Sequence, residues 1–404
     1  MKRSHFKSLA LILLLASFSC ANETTKETLE FKVDYEKITL DNGLQVIFHI
    51  DRSDPVVAVA LTSHVGSARE IEGRTGFAHL FEHLLFLESE NLGKGGLDKM
   101  SARIGGSGAN GSTSRDRTNY FQTVPKDALE KMIWAEADKL GYFINTVTDP
   151  VLAKEKQVVK NEKRQSVDNR PYGHTFYVID KNLYPEGHPY SWEVIGSLED
   201  LQNATLQNVK DFYNRWYVPN NVTLTIAGDF DMTQAKELVN KYFGEIKKGE
   251  AIPNMEKQPV TLTETKKLYY EDNFARAPQL TLTWPGVPNY NPDSYALEVL
   301  ATYLSQGKKA PLYKVLVEDE KLSDNVSAFQ YNSEIAGQFM MQVTAFSDTN
   351  LQNVLSGINE GLANFEAEGI SKADLDRIKA GQETSFYNSL SSVLGKGFQL
   401  AQYE

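Results

Sequence analysis

The feature that most constrains this chain is a recurrence. The β-branched run "PVVAVALTSHVGS" (55–67) reads as a central strand and leads into the helical stretch "GRTGFAHLFEHLLF" (73–86). Far downstream the order returns, with "PQLTLTWPGVP" as the strand, "DSYALEVLATYLSQG" as the helix and "GQFMMQVTAFS" as a further strand. The polar, two-proline stretch "IKKGEAIPNMEKQP" between the copies reads as a linker, 246–259. The expected fold is therefore α+β, two duplicated halves of antiparallel-rich sheet flanked by helices, spanning 30–245 and 260–404. The second copy is shorter, carries no histidine and stops in helical text, "GKGFQLAQYE", so either it is trimmed or the chain shown is incomplete.

Within the first half, "DYEKITLDNGLQVIFHI" alternates apolar and polar residues around Asp41-Asn42-Gly43, a hairpin signature. The Gly-rich "IGGSGANGSTSRDRTNYFQTVP" reads as a loop leading into strands, and "PKDALEKMIWAEADKLGYF" as an amphipathic helix. "DPVLAKEKQVVKNEKRQSV" follows as a helix started by Asp149-Pro150, and "NVTLTIAGDF" as a strand. The 404 residues, 41% hydrophobic and 24% charged, are enough for two or three well-formed cores. A net charge of -11 with no long basic stripe excludes a nucleic-acid groove.

The N-terminus is an address rather than a fold element. Lys2, Arg3 and Lys7 precede "SLALILLLASFSC", apolar enough for a signal core but short for a membrane span. Cys20, the only cysteine, is followed by polar "ANETTKET", so residues 1–20 read as a lipoprotein signal with Cys20 as the lipidated residue. That predicts an exported protein anchored on the periplasmic or cell-surface side of a bacterial envelope. An ordinary signal peptide with a chance cysteine is the plainer alternative, and either way a lone cysteine permits no internal disulfide.

His79 and His83 lie four apart, so on a helix they project from one face, close enough to hold a single metal ion, with Glu82 on the same side. Phe77, Leu80, Phe81, Leu84 and Leu85 fill the other faces, which predicts an interior helix. Unpaired imidazoles and a carboxylate are expensive there, and a divalent cation removes the expense. A lone histidine is more often a hydrogen-bonded core residue, but the complete H-x-x-E-H pattern is the inverzincin signature. Catalytic zinc takes three protein ligands and keeps one open position, so a third ligand must lie elsewhere.

On these residues the chain resembles the pitrilysin/insulysin family of zinc endopeptidases, which includes the mitochondrial processing peptidases. The resemblance implies a clamshell of two halves around one zinc ion per chain. In that family a Glu on a separate helix is the third ligand and another Glu precedes it by two helical turns. "EKQVVKNEKRQ" supplies the pair: Glu162 as ligand, and Glu155 hydrogen-bonded toward a ligand histidine to fix its tautomer. Glu82 is then the general base for amide hydrolysis. Asn110 and Gly111 match positions where a strand edge beside the zinc pairs with extended peptide substrate. A plain flexible loop is the alternative for that stretch. "GSARE" and "FYNRWYVPNNVTLTIAGDF" also match, so the resemblance spans nearly the whole chain after the leader.

One departure matters. Many active members carry, in the second copy, an Arg and a Tyr seven residues apart that grip the substrate carbonyl; in "KVLVEDEKLSDNVSA" these positions hold Val317 and Asp324. The resemblance then implies a homo- or heterodimer in which another chain supplies the missing pair. Two further readings compete with the peptidase. One is a non-catalytic, membrane-anchored binding or assembly subunit, against which stands the presence of all four of His79, Glu82, His83 and Glu162. The other is two histidines holding a haem, which the strand-rich surroundings and Glu82 oppose.

Overall fold

Gly43 takes the left-handed backbone, with φ of 90°, that its turn requires, and the strands it joins, β1 (Glu36–Thr39) and β2 (Gln45–Ile50), pair antiparallel. The computed structural model describes residues 32–403, so the leader and Cys20 lie outside the described residues. The first half continues with β3 (Val56–Ser63), α1 (Phe77–Leu87) and α2 (Gly96–Ile104). The hairpin of β4 (Ser107–Thr113) and β5 (Thr118–Pro125) comes next, then α3 (Leu129–Tyr142), α4 (Asp149–Lys163) and α5 (Thr175–Leu183). It closes with α6 (Leu206–Trp216), β6 (Val222–Gly228) and α7 (Met232–Phe243). These strands form one sheet in the order β1-β2-β6-β3-β5-β4, in which β2 and β6 are parallel and the other pairs antiparallel.

The second half repeats the order strand, helix, hairpin, helix: β7 (Gln279–Gly286), α8 (Pro292–Ser305), β8 (Ser327–Asn332) and β9 (Gly337–Thr344), then α9 (Leu351–Glu368). It ends in α10 (Lys372–Ser389) and α11 (Val393–Gln402). Its described sheet has three strands, β7-β9-β8, where the first has six. The α+β duplication read from the sequence is the architecture found. Two expectations change. The connection is longer than 246–259, because helix and strand resume only at Gln279. The Gly-rich stretch is not the loop its composition suggests: from Ser107 it is a strand, as the resemblance implies at Asn110 and Gly111, paired with β5 and irregular between Ser107 and Asn110.

β3 is apolar on both faces because both are covered. Val57, Val59 and Leu61 enter the main core with Phe48, Leu224, Ile226 and the α1 side chains Leu80, Phe81 and Leu84. The opposite face carries small residues: Ala58 pairs with Ala227 and Ala60 with Thr225. Onto that face comes α11, a helix of the second half, with Gly397 against Thr225 and Ala227. The exchange is reciprocal. On α5, Phe176 packs at a tilt against Tyr331 of β8 (5.8 Å between centroids), and Asp180 accepts from Gln338 of β9 at 2.6 Å. Each half thus lends a helix to the other's sheet.

The tip of the β8–β9 hairpin closes the contact between halves. Ile335 and Ala336 are buried among Ala68, Leu183, Tyr184 and Tyr190. The backbone N–H of Glu334 donates to Asp116 at 2.9 Å, and that of Ile335 to the Tyr190 hydroxyl at 3.0 Å. Beside them Arg115, 3% exposed, pairs with Asp180 at 2.6 Å and lies over the rings of Tyr190 and Tyr331. A charge so deeply buried is tolerated because it is paired and hydrogen-bonded.

Candidate metal centre

α1 is held at its N-terminus by carboxylates rather than by a side-chain cap of its own. Gly76 opens it with φ of 88°, and the buried Glu70 accepts from the N–H groups of Gly76 and Ala78, both at 2.9 Å. Burial pushes the Glu70 carboxyl up to about 8, while those backbone donors pull it down. Asp200 accepts from the N–H and hydroxyl of Thr75, one residue before. Hydrogen bonds to these two acidic side chains tie down the segment that enters α1.

From α1 the periodicity delivers His79 and His83 to one face, with ring centroids 4.8 Å apart. α4, started by Pro150 in its first turn, packs across α1 and brings Glu155 and Glu162 to the same place. Ligand atoms of His79, His83 and Glu162 all lie within 4.8 Å of one another. The Glu162 carboxylate faces both rings, 3.5 Å from His79 Nε2 and 3.0 Å from His83 Nε2. Glu155, buried, lies 3.2 Å from His83 Nδ1. His79, His83, Glu155 and Glu162 are thus brought together between the two helices.

These groups fit a cation. If the Nδ1–H of His83 donates to Glu155, the Nε2 lone pair of a neutral ring points at a carboxylate oxygen, which is repulsive unless a positive charge stands between them. Without a metal, a proton takes that place, and the hydrogen bond to Glu155 accordingly raises the proton affinity of His83. Burial, helped by His83, pushes His79 down to about 4, leaving its imidazole neutral and able to bind metal at neutral pH. Two nitrogens and one carboxylate with part of the site open to solvent is a zinc-type set.

Glu82 stands beside this group on α1, where burial raises its carboxyl against the opposing hydrogen bond from Thr113. Thr113 lies on β4, the edge of the sheet, whose outer side no described strand pairs. Asn110 is exposed there and its Oδ1 accepts from the N–H of Gly111 at 2.9 Å. A side chain on Gly111 would stand 2.8 Å from Glu82 Cγ, so the glycine makes room for that residue. Val317 packs against the second half's core and Asp324 is exposed. Neither offers a donor of the Arg or Tyr kind. Glu70, Thr113 and Arg117 were not singled out from the sequence, although the two-residue period of a strand would have put Thr113 on the face of Gly111.

Known proteins place this fold in a family. The family described as Insulinase (Peptidase family M16) matches residues 45–185, and Peptidase M16 inactive domain matches residues 203–382. A zinc protease of Helicobacter pylori, PqqE, is 32% identical over 372 residues, covering 89% of this chain and 80% of its own. The chain belongs to peptidase family M16. A probable mitochondrial-processing peptidase subunit beta from Schizosaccharomyces pombe is 23% identical over 89% of the chain and 79% of its own length. Among solved structures, a protease from Helicobacter pylori superposes with a TM-score of 0.82 at 28% identity, covering 92% of this chain and 89% of that one. An M16 inactive domain from Pseudomonas fluorescens shares the fold, with a TM-score of 0.78 at 19% identity. These M16 relatives support a peptidase-type function.

Proposed function

We propose that the chain is a zinc-dependent endopeptidase acting on peptides or unfolded polypeptide segments. One observation carries the reading: His79, His83 and Glu162 converge on one point, with Glu82 beside them and a free sheet edge adjacent. His79, His83 and Glu162 would hold the zinc, and Glu155 would fix the tautomer of His83. When bound, zinc supplies Lewis-acid chemistry, lowering the pKa of water and polarising a carbonyl. Glu82 then takes the proton of the attacking water on its carboxylate and passes it to the leaving amine. The edge of β4 at Asn110 and Gly111 receives the substrate as an added strand, whose main-chain groups displace the Asn110 side chain from the Gly111 N–H.

Val317 and Asp324 favour a division of labour in which a second chain, alike or different, supplies the Arg and Tyr that grip the carbonyl. The leader reading gives the same molecule a lipid anchor at Cys20 and an extracytoplasmic location; a Cys20→Ser variant that still fractionates with membranes would refute it. Among the described residues no helix is long and apolar enough to cross a membrane.

The test is cleavage of a quenched fluorescent peptide library by the purified protein. Cleavage should stop with a chelator and return with zinc, and Glu82→Gln should lower it about 100-fold or more while leaving metal content unchanged. Cleavage that survives Glu82→Gln would refute the assignment. A wild type that binds zinc but cleaves only after a second family chain is added would confirm the division of labour.

A further inference from the structure

We infer that Thr113 is a positioning residue for Glu82, through which β4 sets the general base in register with the peptide strand it receives; this rests on the peptidase reading above. The Thr113 hydroxyl donates to Glu82 Oε2 at 2.5 Å, the one hydrogen bond the Glu82 carboxylate accepts among the described residues. Glutamate has three rotatable side-chain bonds and Glu82 is only half-buried, so a hydrogen-bond partner on a neighbouring strand restricts its carboxylate. With Oε2 held, Oε1 is the oxygen left to accept a proton. A hydroxyl orients the carboxylate without neutralising it, which a Lys or Arg at the same place would do.

β4 is shaped around Glu82 at two positions of one face. Two residues before Thr113, the missing side chain of Gly111 leaves the space that Glu82 Cγ occupies. The residue between them is braced from the other side: Arg117 Nη1 donates to the carbonyl of Ser112 at 3.2 Å and to its hydroxyl at 2.8 Å. The turn that follows is closed by the Ser114 N–H on the Arg117 carbonyl, and by the N–H groups of Asp116 and Arg117 on the Ser114 hydroxyl. Asp116 in turn accepts from Tyr190 and from the Glu334 N–H of the second half. The hydroxyl that aims the base therefore sits on a rigid hairpin whose free edge is the proposed substrate site. The same strand fixes both the substrate backbone and the base.

The experiment compares zinc-loaded wild type, Thr113→Val and Thr113→Ser, by peptide hydrolysis and by crystal structures. Valine keeps the shape and the β-branch but removes the donor, and serine keeps the donor. Thr113→Val should lower kcat about 10- to 100-fold at unchanged KM and unchanged zinc content, as a misaimed or unheld charged group does. Thr113→Ser should restore kcat. In the crystals the Glu82 carboxylate should turn away in Thr113→Val and stay in Thr113→Ser. A Glu82 that stays in place in Thr113→Val overturns the inference, as does a Thr113→Ser that loses as much activity as Thr113→Val. If the wild type cleaves no peptide, alone or with a second family chain added, it is the peptidase reading that fails, and the position of Glu82 in the crystals still decides Thr113.

Discussion

At the scale of single residues, each group of the candidate centre is set by its neighbours. Burial keeps the His79 imidazole neutral, Glu155 holds His83 by its Nδ1, and Thr113 holds one oxygen of Glu82. Gly111 leaves no room for a side chain beside Glu82. A β-carbon there meets Glu82 Cγ at 2.8 Å and both the Asn119 carbonyl and the Phe86 ring at 3.2 Å. Gly111→Ala is therefore expected to displace Glu82, lowering turnover by as much as about 100-fold. Overpacking adds a stability cost of about 1–3 kcal/mol. Activity assays with a melting curve read both, and an alanine variant with full turnover would contradict the packing described. His79, Glu82 and His83 were legible in the sequence because helical periodicity is local, whereas Glu162 and Glu155 were legible only through the family resemblance, since nothing local says that a second helix crosses the first. Glu70 and Thr113 were not, since their partners are set by how α1 lies on the sheet.

At the scale of elements, the Gly-rich run shows where local reading misleads. Gly105, Gly106, Gly108 and Gly111 look like a loop, yet the segment from Ser107 is an edge strand, because β5 supplies a template and Gly111 is small for a reason of packing. The duplicated order of strand, helix and strand was readable from the sequence pattern; the hairpin partner Ser327–Asn332 in the second half was not. The exchange of α5 and α11 between the halves was not, for nothing in an amphipathic pattern names the sheet it will cover. Gly397 on α11 offers a test of that docking. A β-carbon there would lie 3.6 Å from Thr225 and 3.7 Å from Ala227, ordinary contact distances. Gly397→Ala should thus stabilise the protein by about 0.5–1 kcal/mol through helix propensity, visible as a higher Tm. A lower Tm would mean that α11 sits closer to the sheet than described here.

For the whole molecule, the halves are joined by buried polar contacts as well as by exchanged helices. Arg115→Ala leaves Asp180 buried without its charge partner and should cost about 3–5 kcal/mol, measured by denaturant unfolding. The transition should remain single, because each sheet is covered by the other half's helix; two separated transitions would contradict that exchange. A second link joins Asp51, at the end of β2, to Lys396 of α11. Burial pushes the Asp51 carboxyl up, but Lys396 and the Ser53 N–H outweigh it and hold it down to about 2. A carboxyl lowered by folding stabilises above its ordinary value of 3.8 and loses that contribution as pH falls toward 2. The Tm gap between wild type and Asp51→Asn should accordingly be steady at neutral pH and shrink below about pH 4. All of this scaffolding converges on α1 and α4, and zinc between them is what would make the molecule a peptidase. Anomalous diffraction at the zinc edge, on crystals of the protein supplied with zinc, tests that most directly. The expected result is one strong peak bonded to His79, His83 and Glu162, lost in Glu162→Gln; no peak there, or a peak bonded to other residues, would contradict it.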